Sequence, residues 1–370
     1  MHILTVNAGS SSVRLALFER RADGKLVAIA HEHLDATPEP SARLLADFLA
    51  ASEADAVAHR VVHGGEQLVR SVLVDASVRA EIRRLAPLAP LHNPMALAWM
   101  RASDELLGPA VPQVAVFDTA FFADLPEVAR TYALPRALAA KYGIKRFGFH
   151  GLAHQAMWRR WRRLRPDVPE GGRVISLQLG AGSSITAIRD GQPLDTSMGF
   201  SPLEGLVMAT RSGDLDPMLV TYLERHESLA PAAMERLLDA ESGLLGVSGM
   251  SGDMRVLLAS REPAARLAVD LYCYRARKYL GAYLAVLGGA DAVLFGGGIG
   301  ERAPLVRERI LNGMGWAGIA LDPARNEIAA GAETQLSRDD SPTAVWVIPV
   351  NEATVLADEA LAVLDAGATQ

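Results

Sequence analysis

The sequence predicts an α/β protein made of two related lobes, and three observations carry that expectation. Short apolar runs of strand length alternate with stretches of helical periodicity along the whole chain. A strand–turn–strand unit occurs twice with Ala-Gly-Ser-Ser in its turn, at 8–11 and again at 181–184, an offset of 173 residues. A repeat that long is a duplicated domain, because solenoid units are far shorter. The length of 370 residues fits two domains at roughly 100–200 residues each.

The elements follow in order. Ile3–Val6 is an apolar run that stops at the polar turn Asn7–Ser12, and Val13–Phe18 resumes it, which reads as a hairpin. A strand is expected at 54–62, helices at 77–85 and 93–106, and a strand at 111–118, with Pro87, Pro90, Pro94, Gly108 and Pro109 marking loops. Ala153, Met157, Trp161 and Leu164 recur at helical spacing, so the Arg-rich run 158–163 reads as the solvated face of a helix rather than a nucleic-acid patch. Pro-Glu-Gly-Gly at 169–172 introduces the second hairpin, 174–177 and 185–188 around the turn Gly180–Ser184. A long helix is expected over 264–287, then a strand at 292–295, a third glycine turn at 296–301, a strand at 344–349, and a last helix capped by Asn351 that runs to about Asp365.

Composition narrows the function. The chain is 50% hydrophobic and 22% charged, enough to build real cores. Lys plus Arg number 37 against 43 Asp plus Glu, a net charge of −6, which speaks against nucleic-acid binding. A single cysteine, Cys273, excludes an internal disulfide and a multi-cysteine metal site. The start Met-His-Ile-Leu-Thr-Val lacks the features of a signal peptide. The most apolar window, 279–299, carries Asp291 and several glycines, so it is read as helix, turn and strand rather than a membrane span. A cytoplasmic location without membrane partners is expected.

The chemistry concentrates at strand ends. Three Gly/Ser turns, 7–12, 180–184 and 296–301, would present backbone N–H groups to phosphates, although none has the P-loop spacing. His59-Arg60, Asp118, His150 and Arg211 put polar groups in apolar surroundings. Such charges are costly unless paired, so Arg60, Asp118 and Arg211 suggest a polar cleft. The histidines lack zinc-ligand spacing and no Gly-x-Ser-x-Gly elbow exists, which disfavours a zinc site and a serine nucleophile.

Taken together, the motifs make the chain resemble the acetate kinase family of short-chain acyl kinases. The match is collinear: Asn7–Ser12, Ala58–Gly65, Leu88–Pro94, Val116–Phe121, Gly148–Gly151, Asp195–Leu206, Thr210–Asp214, Gly249–Arg255, Gly298–Glu301 and Pro349–Glu352. The resemblance implies a two-domain actin-like ATPase fold with a duplicated ribonuclease-H-like core. Its domains would be 1–150, joined by the C-terminal helix 355–370, and a nucleotide-binding domain 151–354. It also implies reversible transfer of the ATP γ-phosphoryl group to acetate, giving acetyl phosphate and ADP by direct in-line displacement. The alternatives are a propionate-preferring or non-ATP-donor acyl kinase, or a catalytically weakened nucleotide-binding regulator.

Carried over residue by residue, the resemblance implies Asp118, Arg60, His150 and Arg211 as catalytic groups. Arg60, Val62, Leu91 and Pro202 would bind the acyl substrate. Arg14, Gln178, Leu179, Gly180, Ala181, Gly182, Asp253, Met254, Arg255, Gly298, Ile299, Gly300, Glu301 and Arg302 would lie on the ATP/ADP side. Asn7 and Glu352 would hold Mg²⁺ (or Mn²⁺) through waters. A homodimer is implied as well. Three positions depart from the family pattern, all on the donor side: Arg14 where lysine is usual, Ala181 where asparagine is usual, and Arg302 where asparagine is usual.

Overall fold

The computed structural model describes residues 1–9, 12–35, 39–50 and 52–367. The turn residues Ser10 and Ser11, and residues 368–370 of the expected last helix, lie outside the described residues. The chain divides into two compact units: Met1–Ala123 with Phe149–Ala156 and Asn351–Gln370, and Asp124–Gly148 with Met157–Val350. Residues 124–148, expected with the first domain, pack with the second unit.

Among the described residues, the first unit has a six-stranded sheet built from β1 (His2–Ala8), β2 (Ser12–Arg20), β3 (Leu26–Asp35), β4 (Ala56–Val61), β5 (Val72–Leu73) and β6 (Gln113–Phe117), in the order β3-β2-β1-β4-β6-β5. β1 is antiparallel to β2 and parallel to β4, and β4 is parallel to β6. A strand with parallel neighbours is covered on both faces, hence the nearly unbroken apolar run of β1. Alternate residues serve opposite layers. Leu4 and Val6 pack with Leu15, Leu45 and Trp99 on one side, while Ile3 joins Val114, Leu152, Val355 and Leu356 on the other. The helices Ala42–Leu49 and Asn93–Leu107 cover the first face, and the C-terminal helix Glu352–Gly367 covers the second. Asn351 caps that last helix by accepting from the Thr354 amide at 3.2 Å.

The second unit repeats the plan. Its strands are β7 (Arg173–Leu179), β8 (Ser183–Arg189), β9 (Gln192–Thr196), β10 (Ala292–Gly296), β11 (Thr334–Gln335) and β12 (Ala344–Val347). Read from β9, their order is β9-β8-β7-β10-β12-β11, with the same antiparallel and parallel pairings as in the first unit. The helix Pro263–Leu287 buries Ala265, Val269, Tyr272 and Leu280 in this core. Among the described residues no helix is long and apolar enough to cross a membrane.

The helix Gly151–Leu164 bears out the striped reading: Ala153, Met157 and Trp161 are buried, while exposed Arg160 and Arg162 pair with Glu333 and Glu170. One expectation is corrected. Residues 296–301 do not form a turn; β10 ends at Gly296 and a short helix, Gly297–Arg302, begins at once. Gly297 makes the junction at φ +76°, where a Cβ would lie 2.5 Å from the Leu179 carbonyl oxygen, so only glycine fits. The buried Arg307 guanidinium then caps the carbonyls of Gly300 and Glu301 at 2.9 and 3.0 Å.

Candidate active site

In open sheets of this kind, ligands gather at the carboxyl ends of the parallel strands. In the first unit those ends carry Asn7 on β1, Arg60 on β4 and Asp118 immediately after β6. Register sets them side by side, since Val6 pairs with His59 and Arg60 with Val116. Arg60 forks onto Asp118: Nη2 donates to Oδ2 at 2.7 Å and Nε to the same oxygen at 3.2 Å. Its Nη1 donates to Asn7 Oδ1 at 3.1 Å, and Asn7 Nδ2 donates to Glu352 Oε2 at 2.6 Å. Asp118 is 1% exposed and Glu352 9%, and burying carboxyl groups this deeply is costly unless they are paired. Burial alone would favour a neutral Arg60, but the carboxylates of Asp118 and Glu352 outweigh it and push the group above its usual range. Burial raises the Asp118 carboxyl, opposed by Arg60 and by the Leu152 amide.

The surroundings fix this set. His150 stands at φ +58°, unusual for a residue with a side chain, and its carbonyl accepts the first helical bond, from the His154 amide, at 3.0 Å. The next residue must be glycine, because a Cβ at Gly151 would collide with the Asp118 carbonyl. Beyond β4, buried Asn93 grips both backbone groups of His63, accepting from its amide at 3.2 Å and donating to its carbonyl at 3.0 Å. Val62 is thereby held and buried, whereas Leu91 is 63% exposed. Arg14 is opposite Asn7 in the β1–β2 register, on the same face, and exposed.

In the second unit the strand ends are rich in glycine. Gln178 on β7 pairs with Gly296 on β10, so the turn Gly180–Gly182 and the helix Gly297–Arg302 emerge from neighbouring parallel strands. The turn closes by a bond from the Gly180 amide to the Gly182 carbonyl at 3.0 Å, leaving Ala181 exposed. Gly298 and Arg302 are exposed, Ile299 is half-buried and Gly300 is buried. Glu301 is buried, and its Oε1 accepts from the amides of Gly297 and Val350, both at 3.1 Å; it braces the helix start. Asp253 caps the helix Met254–Ala259 and pairs with Arg255, while Met254 is in the core.

Arg211 also belongs to this unit. Its Nε pairs with Asp239 at 3.1 Å and its Nη1 donates to the Pro202 carbonyl at 3.3 Å. Burial pulls the guanidinium down, opposed by Asp239. Sequence reasoning missed Asp239, and it missed Tyr132 and Arg146, which bind Glu204; of these only Glu204 lies in a motif that the sequence singles out.

The duplicated sheets define a protein of the actin-like ATPase class, and comparison makes this specific. The chain belongs to the acetokinase family, whose sequence model matches residues 43–358. It is similar to acetate kinases of Dictyoglomus turgidum, 42% identical over 98% of each chain, and of Chloroherpeton thalassium, 48% identical over 82% of this chain and 74% of that one. Its fold is similar to crystal structures of Porphyromonas gingivalis acetate kinase (TM-score 0.87, 36% identity, covering 98% and 99% of the two chains) and of a Francisella tularensis propionate kinase (TM-score 0.86, 33% identity, 97% and 98%).

Proposed function

We propose that the protein is an acetate kinase: an ATP-dependent phosphotransferase that acts on the carboxyl group of acetate, reversibly, to give acetyl phosphate and ADP. Besides family membership, one observation carries the reading. A buried arginine fork sits with a buried carboxylate at the carboxyl ends of β1, β4 and β6. Arg60 would bind the substrate carboxylate, whose planar pair of oxygens matches a guanidinium. Arg211 would supply positive charge to the moving phosphoryl group, and His150 would donate a hydrogen bond to its equatorial oxygens.

An acetate oxygen uses a lone pair to form the new O–P bond while the bond from the γ-phosphorus to the bridging oxygen breaks, its electrons leaving on ADP. A carboxylate is already ionised near neutral pH, so no proton has to be removed. Asp118 accordingly orients Arg60 rather than acting as a base. The turn Gly180–Gly182 and the exposed backbone at Gly298 would serve the nucleotide phosphates, with Arg14 adding charge on the first unit.

The donor set on the first unit suits Mg²⁺. Asn7 and Glu352 are hard oxygen ligands, and among the described residues no cluster of three His, Cys, Asp or Glu competes as a dedicated metal cage. Mg²⁺ is usually held by one or two carboxylates together with substrate phosphates. When bound it would neutralise phosphate charge, and Asn7 and Glu352 would hold it through waters.

Val62, buried and branched, and the ring of Pro202 would each offer a rigid wall to the acyl tail, with Leu91 as a third, more exposed contact. Acetate should be the better substrate and propionate a poorer one. We further propose a homodimer: the helix Pro217–His226 buries none of its side chains, with Met218, Leu219 and Tyr222 exposed along it and Leu215 exposed just before it. A buried lone Cys273 suits a cytoplasmic setting.

Trapping acyl phosphate as a hydroxamate tests the activity. Acetate, propionate and butyrate are each offered with ATP and Mg²⁺. The expected order is acetate, then propionate, then butyrate; no hydroxamate from any pair would sink the enzyme reading.

A further inference from the structure

After β9 the chain runs from 197 to 216 without a helix or strand. Irregular stretches of that length in a folded domain usually serve function. This one carries Pro202 and Arg211, and its shape depends on three residues outside the proposed catalytic set. Arg146 donates from Nη2 to Glu204 Oε1 at 2.7 Å, from Nη1 to the carbonyls of Thr196 and Ser197 at 3.1 and 3.3 Å, and from Nε to the Ala129 carbonyl at 3.2 Å. The Tyr132 hydroxyl donates to Glu204 Oε2 and accepts the Phe200 amide at 2.8 Å. The Arg146 guanidinium also lies over the Tyr132 ring, 5.6 Å from its centroid.

Pro202 therefore sits on a short arc pinned on both sides, at Phe200 by Tyr132 and at Glu204 by Tyr132 and Arg146 together. The next residue is pinned too: the Gly205 amide donates to Asp214 Oδ1 at 2.8 Å, and Arg275 donates to its carbonyl at 3.2 Å. At Gly199 a Cβ would collide with both Glu204 Oε2 and the Tyr132 hydroxyl, so the pair occupies the space a side chain would need. Burial pushes the Tyr132 hydroxyl up, away from ionisation at neutral pH, so it remains a donor to Glu204. None of the three residues belongs to the proposed catalytic set, yet all converge on the arc that carries Pro202.

We propose that Tyr132, Arg146 and Glu204 are positioning residues that set the height of the Pro202 wall, and with it the enzyme's discrimination among short acyl groups. The proposal rests on the reading of Pro202 as an acyl-pocket residue. The Pro202 carbonyl also accepts from Arg211, so loosening the arc reaches that arginine as a smaller, secondary effect.

Tyr132→Phe removes one hydroxyl and keeps the ring. It frees the Phe200 amide and one Glu204 oxygen, and a lost hydrogen bond corresponds to roughly 2–10-fold in an equilibrium or rate. The KM for acetate should rise by that factor and the propionate-to-acetate ratio of kcat/KM should increase, while the KM for ATP stays within about twofold. Arg146→Lys keeps the charge but cannot reach Glu204, Thr196 and Ser197 at once, so it should move the same two quantities further; it also serves if Tyr132→Phe proves unstable. Circular dichroism and thermal melting report whether each variant is folded.

Pro202→Ala separates the two readings. If it shifts the propionate-to-acetate ratio and folded Tyr132→Phe and Arg146→Lys do not, the positioning proposal is wrong and the acyl-pocket reading stands. If Pro202→Ala shifts nothing in a parent that phosphorylates acetate, both the assignment of Pro202 and the proposal built on it fail. A uniform fall in kcat with unchanged ratios in all variants overturns the proposal as well, because that is the mark of a merely structural role.

Discussion

The two units share a strand order, a pattern of parallel and antiparallel pairing and a turn sequence, yet their strand ends differ in kind. In the first unit β1, β4 and β6 lead into Asn7, Arg60 and Asp118, side chains that reach one another across the sheet edge. In the second unit β7 and β10 lead into Gly180 and Gly296–Gly298, where the proposed nucleotide surface would be the backbone itself. The duplicated framework fixes where ligands can bind, and the residues at the strand ends decide how. Side-chain forks suit a small planar carboxylate, whereas backbone amides suit a phosphate chain. This difference can be broken from either side.

The largest effect is expected at Arg60. Arg60→Ala removes the fork and strands a buried Asp118. Removing one charge-stabilising donor costs on the order of 10²–10³ in kcat. Arg60→Lys keeps the charge without the fork and should fall in between. Steady-state kinetics on folded protein decide the matter; an Arg60→Ala enzyme that turns over within a few-fold of its parent would remove Arg60 from the mechanism.

The matching experiment in the second unit inserts a single methyl group. At Gly297 the backbone has φ +76°, and a Cβ would meet the Leu179 carbonyl oxygen at 2.5 Å and Gln178 Nε2 at 2.9 Å. Gly297→Ala should therefore push apart the two glycine segments that leave β7 and β10. The expected result is a KM for ATP raised about tenfold or more, corresponding to roughly 1.4 kcal/mol of lost binding, with the KM for acetate little changed. Equal rises in both would mean that this strand end is not specific to the nucleotide.

Much of this contrast was legible in the sequence. The shared Ala-Gly-Ser-Ser turns and the flanking apolar runs mark β1–β2 and β7–β8, because hairpins are local and their signals lie within a few residues. The edge strands β3, β5, β9 and β11 escaped notice: β5 and β11 have two residues each, and the second half of β3 is polar at four of five positions, His31, Glu32, His33 and Asp35. The third glycine run was misread because glycines allow a turn and a strand-to-helix junction alike, and the choice depends on the close approach of the Leu179 carbonyl to Gly297, far away in sequence. The Tyr132–Arg146–Glu204 assembly was invisible for a related reason. Glu204 is 72 residues from one partner and 58 from the other, and no spacing rule links them.

Acid should separate the units next. Of nine histidines, all but His226 fall in the first unit. His59 is fully buried there, its Nε2 bonded to Gln113 Oε1 at 2.8 Å, and burial lowers it from 6.5 to about 3. His154 is lowered in the same way. Between those values the unfolded chain takes up the proton and the folded chain does not. The stability that neutral His59 allows is thus complete above pH 6.5 and is lost as pH falls towards 3, at roughly 1.4 kcal/mol per pH unit, and His154 acts in the same direction. His59→Gln, which can still bond Gln113, should flatten the slope of urea-unfolding free energy measured at pH 7 and pH 5. An unchanged slope would show that His59 does not govern the acid response.

The smallest effect is the sharpest test of whether the second unit works through backbone alone. Ala181 is exposed at the tip of the β7–β8 turn; its carbonyl accepts from the Ala209 amide at 3.0 Å and the Ser183 hydroxyl donates to the Gly180 carbonyl at 3.2 Å, so the turn is held without help from the side chain at 181. Asparagine at this position would add one amide group without entering the core, and asparagine is tolerated in turns. If phosphates approach this turn, the new donor should make one further hydrogen bond. A single bond contributes about 0.5–1.5 kcal/mol, so Ala181→Asn should lower the KM for ATP by roughly 2–10-fold while the KM for acetate and the Arg60-dependent kcat stay where they are. A lowered KM would mean that the two strand-end designs are interchangeable in part, with side chains able to supplement backbone donors. No change at all, in a folded variant that still discriminates ATP from ADP as its parent does, would place the phosphates away from residue 181 and restrict the nucleotide contacts of this unit to the glycine segment after β10.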